Sequence, residues 1–177
     1  MSAAFRRRGV AILFACAFVF LAPGISAQGQ RQTDYLTQLE ADKIRDEEPR
    51  ERIKLFVLFA EDRLKKFQYE MAKGANDKRR AERMAALMDA FAGCMDDATE
   101  LMELGRMKQQ DILKGVQFLQ GKSKEFLAEL ERQIAAAPAS AAYKENLEFA
   151  HLAVKEALEE AEKATKEISP GPVRRKQ

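Results

Sequence analysis

The sequence is poor in the side chains on which most metal, redox and nucleophilic sites depend. It has one histidine, His151, two cysteines and no tryptophan in 177 residues. A four-ligand zinc site, a di-iron centre with paired Glu-x-x-His motifs and a Cys-x-x-Cys-His heme attachment all need more of these residues. Nucleophile-elbow, phosphate-loop and dinucleotide motifs are also missing. We therefore expect a non-enzymatic protein without a cofactor or a metal, and an enzyme using paired carboxylates is the third alternative.

Signals for β-structure are missing as well. No segment alternates apolar and polar residues, and neither Asn-Gly nor Asp-Gly occurs to form a tight hairpin. Good helix formers such as Ala, Leu, Glu, Lys and Met dominate instead. The sequence predicts an all-α fold over residues 33–168, an elongated antiparallel bundle of about four long helices plus a short N-terminal helix.

The first 27 residues have the order of a secretory signal peptide. Three arginines at 6–8 precede an apolar run at 10–22, and Ala27 supplies a small residue for cleavage. The run is shorter than the roughly 20 residues of a membrane-spanning helix, so we expect no stable membrane span after cleavage. Cleavage after Ala27 would leave a polar leader at 28–32 and a periplasmic or extracellular protein. Retention as an anchor and lipidation at Cys16 are the alternatives.

Charge argues against a nucleic-acid-binding protein. Removing the signal peptide takes away three arginines and no acid, which leaves 27 bases against 28 acids. No excess of positive charge then remains to bind phosphates by counterion release. Residues 169–177 contain two prolines and a glycine beside a short basic run, and we expect this tail to be disordered.

Capping residues divide the first half of the bundle. Thr33 is the expected cap of a short helix that ends near residue 48. Pro49 suits the first turn of a second helix, because its missing N–H is not needed there, and Gly74 would end that helix. Asn76 or Asp77 is the expected cap of a third helix.

The second half depends on whether one helix spans residues 76–136. The seam of apolar residues continues without a phase slip, so a single helix of about 60 residues, roughly 90 Å long, is one alternative. We favour a break near residues 105–110, with Gly105 ending one helix and Asp111 capping the next. Ser140 is the expected cap of the last helix, after an alanine-rich turn at 135–142.

Methionines mark one face of the third helix. Cys94 lies on this face, whereas Asp96, Glu100 and Glu103 fall on the opposite one at 100° per residue. The stretch therefore reads as one amphipathic helix, and core packing is the first interpretation of its methionines. An adaptable face for apolar clients or partners, or soft-metal binding, is the alternative. The residues of this candidate face are Phe56, Phe59, Met84, Met88, Met95 and Met102.

Residues 49–160 resemble a family of exported bacterial helical domains of unknown function. The family has a Leu-x-x-Ala-Glu-x-Arg-Leu pattern in its first long helix and a proline-containing turn before its last helix. The turn is met by Pro138, and the Phe-rich segment 56–59 and the methionine seam depart from the usual Leu and Glu content. The resemblance implies a helical bundle outside the cytoplasm and implies no activity. Ala60, Glu61, Arg63 and Leu64 meet the second part of the helix pattern, and Leu55 or Leu58 stands for its first Leu, although at a different spacing.

Residues 36–40 resemble the Leu-Thr-x-x-Gln motif of small periplasmic helical chaperones and metal-stress sensors, with Glu40 in place of the final Gln. The sequence as a whole predicts an exported bundle that binds an unidentified protein partner or self-associates, as an interaction or structural module of the cell envelope. A chaperone or an envelope-stress or metal-stress sensor that uses the Met- and Phe-rich face is the alternative.

Overall fold

The structure is a computed structural model that describes residues 35–73, 77 and 79–168. This described part contains helices and turns and no strand, which confirms the all-α prediction. The signal peptide, the polar leader, Thr33, Gly74, Asn76 and the tail lie outside the described residues. The five helices are α1 (Gln38–Arg45), α2 (Pro49–Ala72), α3 (Arg80–Met107), α4 (Leu113–Ala136) and α5 (Lys144–Glu167).

The short helix α1 begins four residues later than expected. Its cap is Thr37, whose hydroxyl accepts a hydrogen bond from the backbone N–H of Glu40, while the Glu40 carboxylate accepts one from the N–H of Thr37. This reciprocal capping box satisfies two backbone donors that the helix itself cannot use. The prediction that Thr33 caps this helix is therefore wrong. Pro49 does open α2 as predicted.

The α2–α3 hairpin is closed by an arginine. The guanidinium of Arg80 donates to the backbone oxygens of Glu70 at 2.7 Å and Met71 at 2.8 Å, which satisfies carbonyls at the end of α2. Asp77 was expected to cap α3, but the N-cap position is Arg79, and the Asp77 carboxylate accepts from the Arg79 N–H at 2.9 Å. Arg80, the first residue of α3, thus also supplies the hydrogen bonds that cap the end of α2.

A turn separates α3 from α4 near the predicted residues 105–110, although Gly105 and Asp111 do not have their predicted roles. Gly105 lies inside the last turns of α3, where a Cβ atom would stand 2.7 Å from a methyl carbon of Ile112. The backbone reverses instead at Gln109, which adopts a φ of 52°. Asp111 does not cap α4; its carboxylate lies 3.2 Å from the guanidinium of Arg50, and Ile112 takes the N-cap position.

The last helix begins at Lys144, so Ser140 does not cap it either. The N-cap position is Tyr143, and no side chain caps the helix. The Tyr143 ring packs edge-on against Phe67 of α2 at 5.7 Å between centroids. The start of α5 is therefore marked by the packing of this ring and not by a side-chain cap.

The four long helices form a bundle made of two hairpins side by side. The neighbouring pairs are α2 with α3, α4 with α5, α3 with α5 and α2 with α4. The end of α3 meets the end of α5 through Arg106 and Glu167 at 2.6 Å, so these neighbours run in the same direction. The start of α4 meets the start of α2, where a Cβ atom at Gly115 would stand 2.7 Å from the Arg50 backbone oxygen. Farther along, Lys122 of α4 lies 3.4 Å from Glu61 of α2, so these two helices are parallel as well.

This arrangement places α3 and α4 on a diagonal, although they are consecutive in the chain. The side chain of Ile112 fills the space over Gly105 as the connection crosses the end of the bundle, and it is completely buried. Inside the core, Phe91 of α3 meets Phe126 of α4 edge-on at 5.4 Å between ring centroids. Each helix runs antiparallel to the helix before it in the chain, but α3 and α4 are not adjacent in the bundle.

Candidate functional site

The Met- and Phe-rich face predicted as a surface for clients or partners lies in the core. Its six side chains are between 0% and 8% exposed. The reason is that α3 packs against both α2 and α5, so its apolar seam has no open side. One of these residues, Phe56, borders a hollow, a small one of about 270 Å³ that it shares with Ile44 and Leu101. Core packing is therefore the interpretation that the geometry favours. The six are Phe56, Phe59, Met84, Met88, Met95 and Met102.

Cys94 is a buried thiol beside charged groups. It is 0% exposed, and its burial raises the pKa of the thiol to about 12, although the nearby Arg63 acts in the opposite direction. The thiol is therefore protonated at neutral pH, which is unfavourable for nucleophilic attack and for metal binding. Within the described ranges, no three His, Cys, Asp or Glu side chains come together in a way that could hold a metal ion.

The single histidine lies at the edge of the α4–α5 contact. The His151 side chain is 28% exposed, and its Nε2 atom is 3.6 Å from a carboxylate oxygen of Glu131. This distance is too long for a hydrogen bond. The imidazole therefore lies at the edge of the core, partly exposed to solvent.

The most organised polar cluster holds the N-terminal arm, residues 35–45, onto the bundle. Arg63 of α2 is 5% exposed, and its guanidinium donates two hydrogen bonds, of 2.5 and 2.6 Å, to the Glu40 carboxylate. It also donates to the Tyr35 backbone oxygen at 3.1 Å and to Asp62 at 3.0 Å. The hydrogen bonds from Arg63 lower the pKa of Glu40 to about 2. One buried cation thus binds the arm at two places.

A second attachment joins the arm to α3. The Tyr35 hydroxyl donates to the Asp97 carboxylate and lies 3.1 Å from the backbone oxygen of Gly93. Burial, reinforced by Asp97, raises the pKa of this phenol well above its usual value. The ring lies directly on Gly93, where a Cβ atom would stand 2.9 Å from a ring carbon. Only glycine leaves room for this contact, so the arm, α2 and α3 are joined around Cys94.

A groove of about 430 Å³ opens beside this cluster, between α2 and α3. Its most exposed aromatic side chain is Tyr69, which is 65% exposed and has the Lys73 ammonium 4.2 Å above its ring. Arg83 reaches the groove from α3 and is held by Glu70 at 2.8 Å. Other side chains of the groove include Arg63, Lys66, Ala86, Leu87 and Ala90.

A larger hollow of about 580 Å³ lies where the α3–α4 turn meets the end of α5. Its walls contain Gln109, Gln110 and Asp111 from the turn and the ion pair between Arg106 and Glu167. No aromatic side chain lines it. The groove between α2 and α3 is therefore the better candidate, because it combines an exposed ring with cations held by salt bridges.

Sequence reasoning missed the arm cluster. Arg63 and Glu40 are 23 positions apart, and Tyr35 and Asp97 are 62 positions apart, so no local pattern links them. The available signal was the Thr37-x-x-Glu40 capping pattern, which places the start of α1 correctly. The hydroxyl of Tyr35 reaches the Asp97 carboxylate of α3, a contact that no local pattern indicates.

Comparison of the chain with protein-family models, with curated proteins and with solved structures found no match. None of the described helices is both long enough and apolar enough to cross a membrane.

Proposed function

We propose that this chain is an exported, non-enzymatic helical bundle that binds another protein through the groove between α2 and α3. The observation that carries this proposal is Tyr69, a ring left 65% exposed beside a groove whose cationic side chains are held by salt bridges. Tyrosine and arginine are enriched in the central parts of protein interfaces. The role is that of an interaction or structural module of the cell envelope.

The walls of the groove are held in position before any partner binds. Glu70 lies between Lys73 at 2.7 Å and Arg83 at 2.8 Å, and Lys66 pairs with Asp62 at 2.7 Å. Because Arg80 also joins the end of α2 to the start of α3, both walls belong to one hairpin. A groove that is already ordered loses little conformational entropy on binding.

The helix lengths support an elongated bundle as the finer description, with antiparallel helices within each hairpin and parallel neighbours between the two hairpins. The long helices contain 24 to 28 residues, which corresponds to roughly 36–42 Å each. Each helix runs against its predecessor in the chain. Such a body offers long side surfaces, as a module that binds extended partners requires.

Burial of the Met- and Phe-rich face removes the surface on which a chaperone or a metal-stress sensor was expected to depend. Met88 and Met95 are completely buried, and Phe56 and Phe59 are at most 8% exposed. No observation on the described residues favours that alternative over partner binding. We therefore retain one proposed function.

Site-specific photo-crosslinking in living cells tests the proposed groove. A photoreactive phenylalanine analogue replaces Tyr69 in the full chain, and a matched variant carries it at Gln117, an exposed position of α4. We expect one discrete adduct from position 69 that position 117 does not give. The same adducts from both positions, or none from position 69, would contradict the proposal, and an adduct of twice the chain mass would identify a second copy as partner.

Export is a separate component of the proposal. The basic, apolar and small-residue order of residues 6–27 supports it. Mass spectrometry of the chain recovered from the periplasm or medium should give an N-terminus at Gln28. A chain found intact in the cytoplasm would contradict export, and one that carries lipid on Cys16 would contradict cleavage after Ala27.

A further inference from the structure

Acidic side chains are paired with basic ones on two of the long helices, α2 and α4, and less completely on the other two, α3 and α5. Every Asp or Glu of α2 and α4 lies 3.6 Å or less from a Lys, Arg or His nitrogen. Several acids of α3 and α5 lie farther than 4.0 Å from every basic nitrogen of the described residues. These acids include Asp89, Glu100, Glu103, Glu145, Glu148 and Glu156.

An exposed apolar pair lies among these acids. Phe149 and Leu152 of α5 are 53% and 50% exposed and stand one helical turn apart. At 100° per residue, Glu145, Phe149, Leu152 and Glu156 fall within about 60° of one another. The outward stripe of α5 therefore has two large apolar side chains between carboxylates. The other large, exposed apolar residues of the described part stand apart from one another: Leu39, Leu58, Tyr69 and Met107.

The acidic side of α3 runs along this stripe. The two helices are parallel neighbours, and the Asn146 amide donates to Asp89 at 2.7 Å at the end where α5 begins. Lys155, Lys163 and Lys166 are the bases on this side of α5, and Lys163 is held by Glu160 at 2.6 Å. The α3–α5 face, defined as Phe149 and Leu152 with the acids around them, therefore has an excess of negative charge.

We infer that the α3–α5 face is a second docking surface, which binds a cationic amphipathic helix of another protein. Apolar side chains of that helix would cover Phe149 and Leu152, and its Lys or Arg residues would meet Glu148 and Glu156. Apolar anchors supply most of the affinity of such contacts, and complementary charge supplies specificity and a fast association rate. A second copy of this chain would place acid against acid on this face, and an anionic membrane would repel it. The inference goes beyond the groove at Tyr69, because it uses two different helices.

A designed peptide tests the face directly. The probe is a fluorescent helical peptide of lysine and leucine with one apolar side, and its control has the same composition in an order that forms no apolar side. Binding to the full chain is measured by fluorescence anisotropy at several salt concentrations. We expect the amphipathic peptide to bind and the control peptide to bind at least about tenfold more weakly, since it lacks the apolar contact.

Matched variants separate this face from the rest of the surface. The double variant Phe149→Ala/Leu152→Ala should weaken binding by about tenfold or more, whereas Leu58→Ala, at a similarly exposed position on α2, should not change it. Neutralising Glu148 and Glu156 together, each to Gln, should weaken binding and reduce its salt dependence.

Several outcomes would overturn the inference. Equal binding of the two peptides would show attraction to negative charge alone, and unchanged binding by Phe149→Ala/Leu152→Ala would place the contact elsewhere. Sedimentation of the wild-type chain as a dimer that this variant abolishes would assign the face to a second copy. Tyr69→Ala should not alter peptide binding, so the groove and the α3–α5 face can fail independently.

Discussion

Replacing Glu40 by glutamine should release the arm without removing its helix cap. Glutamine can still accept the hydrogen bond from the Thr37 N–H, because a capping box takes either Glu or Gln at this position. What is lost is the negative charge that faces Arg63, whose side chain is 6% exposed. The variant therefore tests the buried ion pair separately from the secondary structure of α1.

The expected cost follows from the pKa of Glu40. Hydrogen bonds from Arg63, with smaller contributions from Thr37, lower this pKa from 4.5 to about 2, which corresponds to about 3 kcal/mol of stabilisation at neutral pH. Breaking a buried ion pair from one side typically costs about 3–5 kcal/mol, because the remaining charge is left without its partner. Arg63 keeps its contacts with Asp62 and the Tyr35 backbone oxygen. We therefore expect a loss near the lower end, about 3 kcal/mol.

The pH dependence has a defined sign. A carboxyl group whose pKa is lower in the folded protein stabilises the fold above its unfolded pKa, and this contribution is lost as the pH falls. The difference in unfolding free energy between wild type and Glu40→Gln should therefore be constant above about pH 5. It should shrink between pH 4.5 and about 2, the unfolded and folded pKa values of Glu40.

Two measurements follow the perturbation. Urea unfolding reports the stability of the bundle, and alkylation of Cys94 in a full chain with Cys16→Ser reports opening of the arm, because this thiol is fully buried beside it. The control is Asp42→Asn, which removes an exposed ion pair with Arg45 of the same helix and should cost at most about 0.5 kcal/mol. Equal effects of the two variants, or a pH-independent effect of Glu40→Gln, would refute the reasoning.

Three further predictions concern packing, and urea unfolding of each variant measures all of them. Gly115→Ala should destabilise the bundle by about 2 kcal/mol, because the new Cβ would lie 2.7 Å from the Arg50 backbone oxygen. Gly121→Ala, with no neighbour within 4 Å, should instead stabilise it by about 1 kcal/mol, and the same sign for both would contradict the steric argument. Met88→Leu should cost less than about 1.5 kcal/mol and Met88→Ala about 2–5, so comparable losses would argue against simple core packing. Ser123→Ala should stabilise by about 1 kcal/mol, since it removes a buried hydroxyl that has no hydrogen-bond partner among the described residues, and any loss of stability would reveal a partner.

Helix ends were predictable where a residue restricts its own backbone, and less so where a distant contact competes. Pro49 opens α2 because its ring sets the backbone angle wherever it stands. Asp111 had the chemistry of a cap, but Arg50 from the start of α2 takes its carboxylate. Ser140 likewise lies too early, because α5 begins beside Tyr143, whose ring packs on Phe67. Sequence spacing contains no information on such long-range partners.

The interface candidates show the same division. Periodicity placed Met88 and Met95 on one apolar face, and it did not establish whether another helix covers that face. The answer came from the packing of α3 between α2 and α5. Conversely, the sequence does not distinguish the exposed pair Phe149 and Leu152 from the other apolar residues of α5. Most of those residues are buried.

The sequence alone determined that the described part of the chain is helical and that the methionines of its third helix share one face, and it favoured a break between α3 and α4. These properties follow from local causes: helix propensity, the 3.6-residue period and capping. The tertiary structure alone decided that two hairpins lie side by side and that Arg63 binds Glu40. Such choices depend on close approach between distant segments, as where Gly115 meets the backbone of Arg50, and many arrangements share the same apolar pattern.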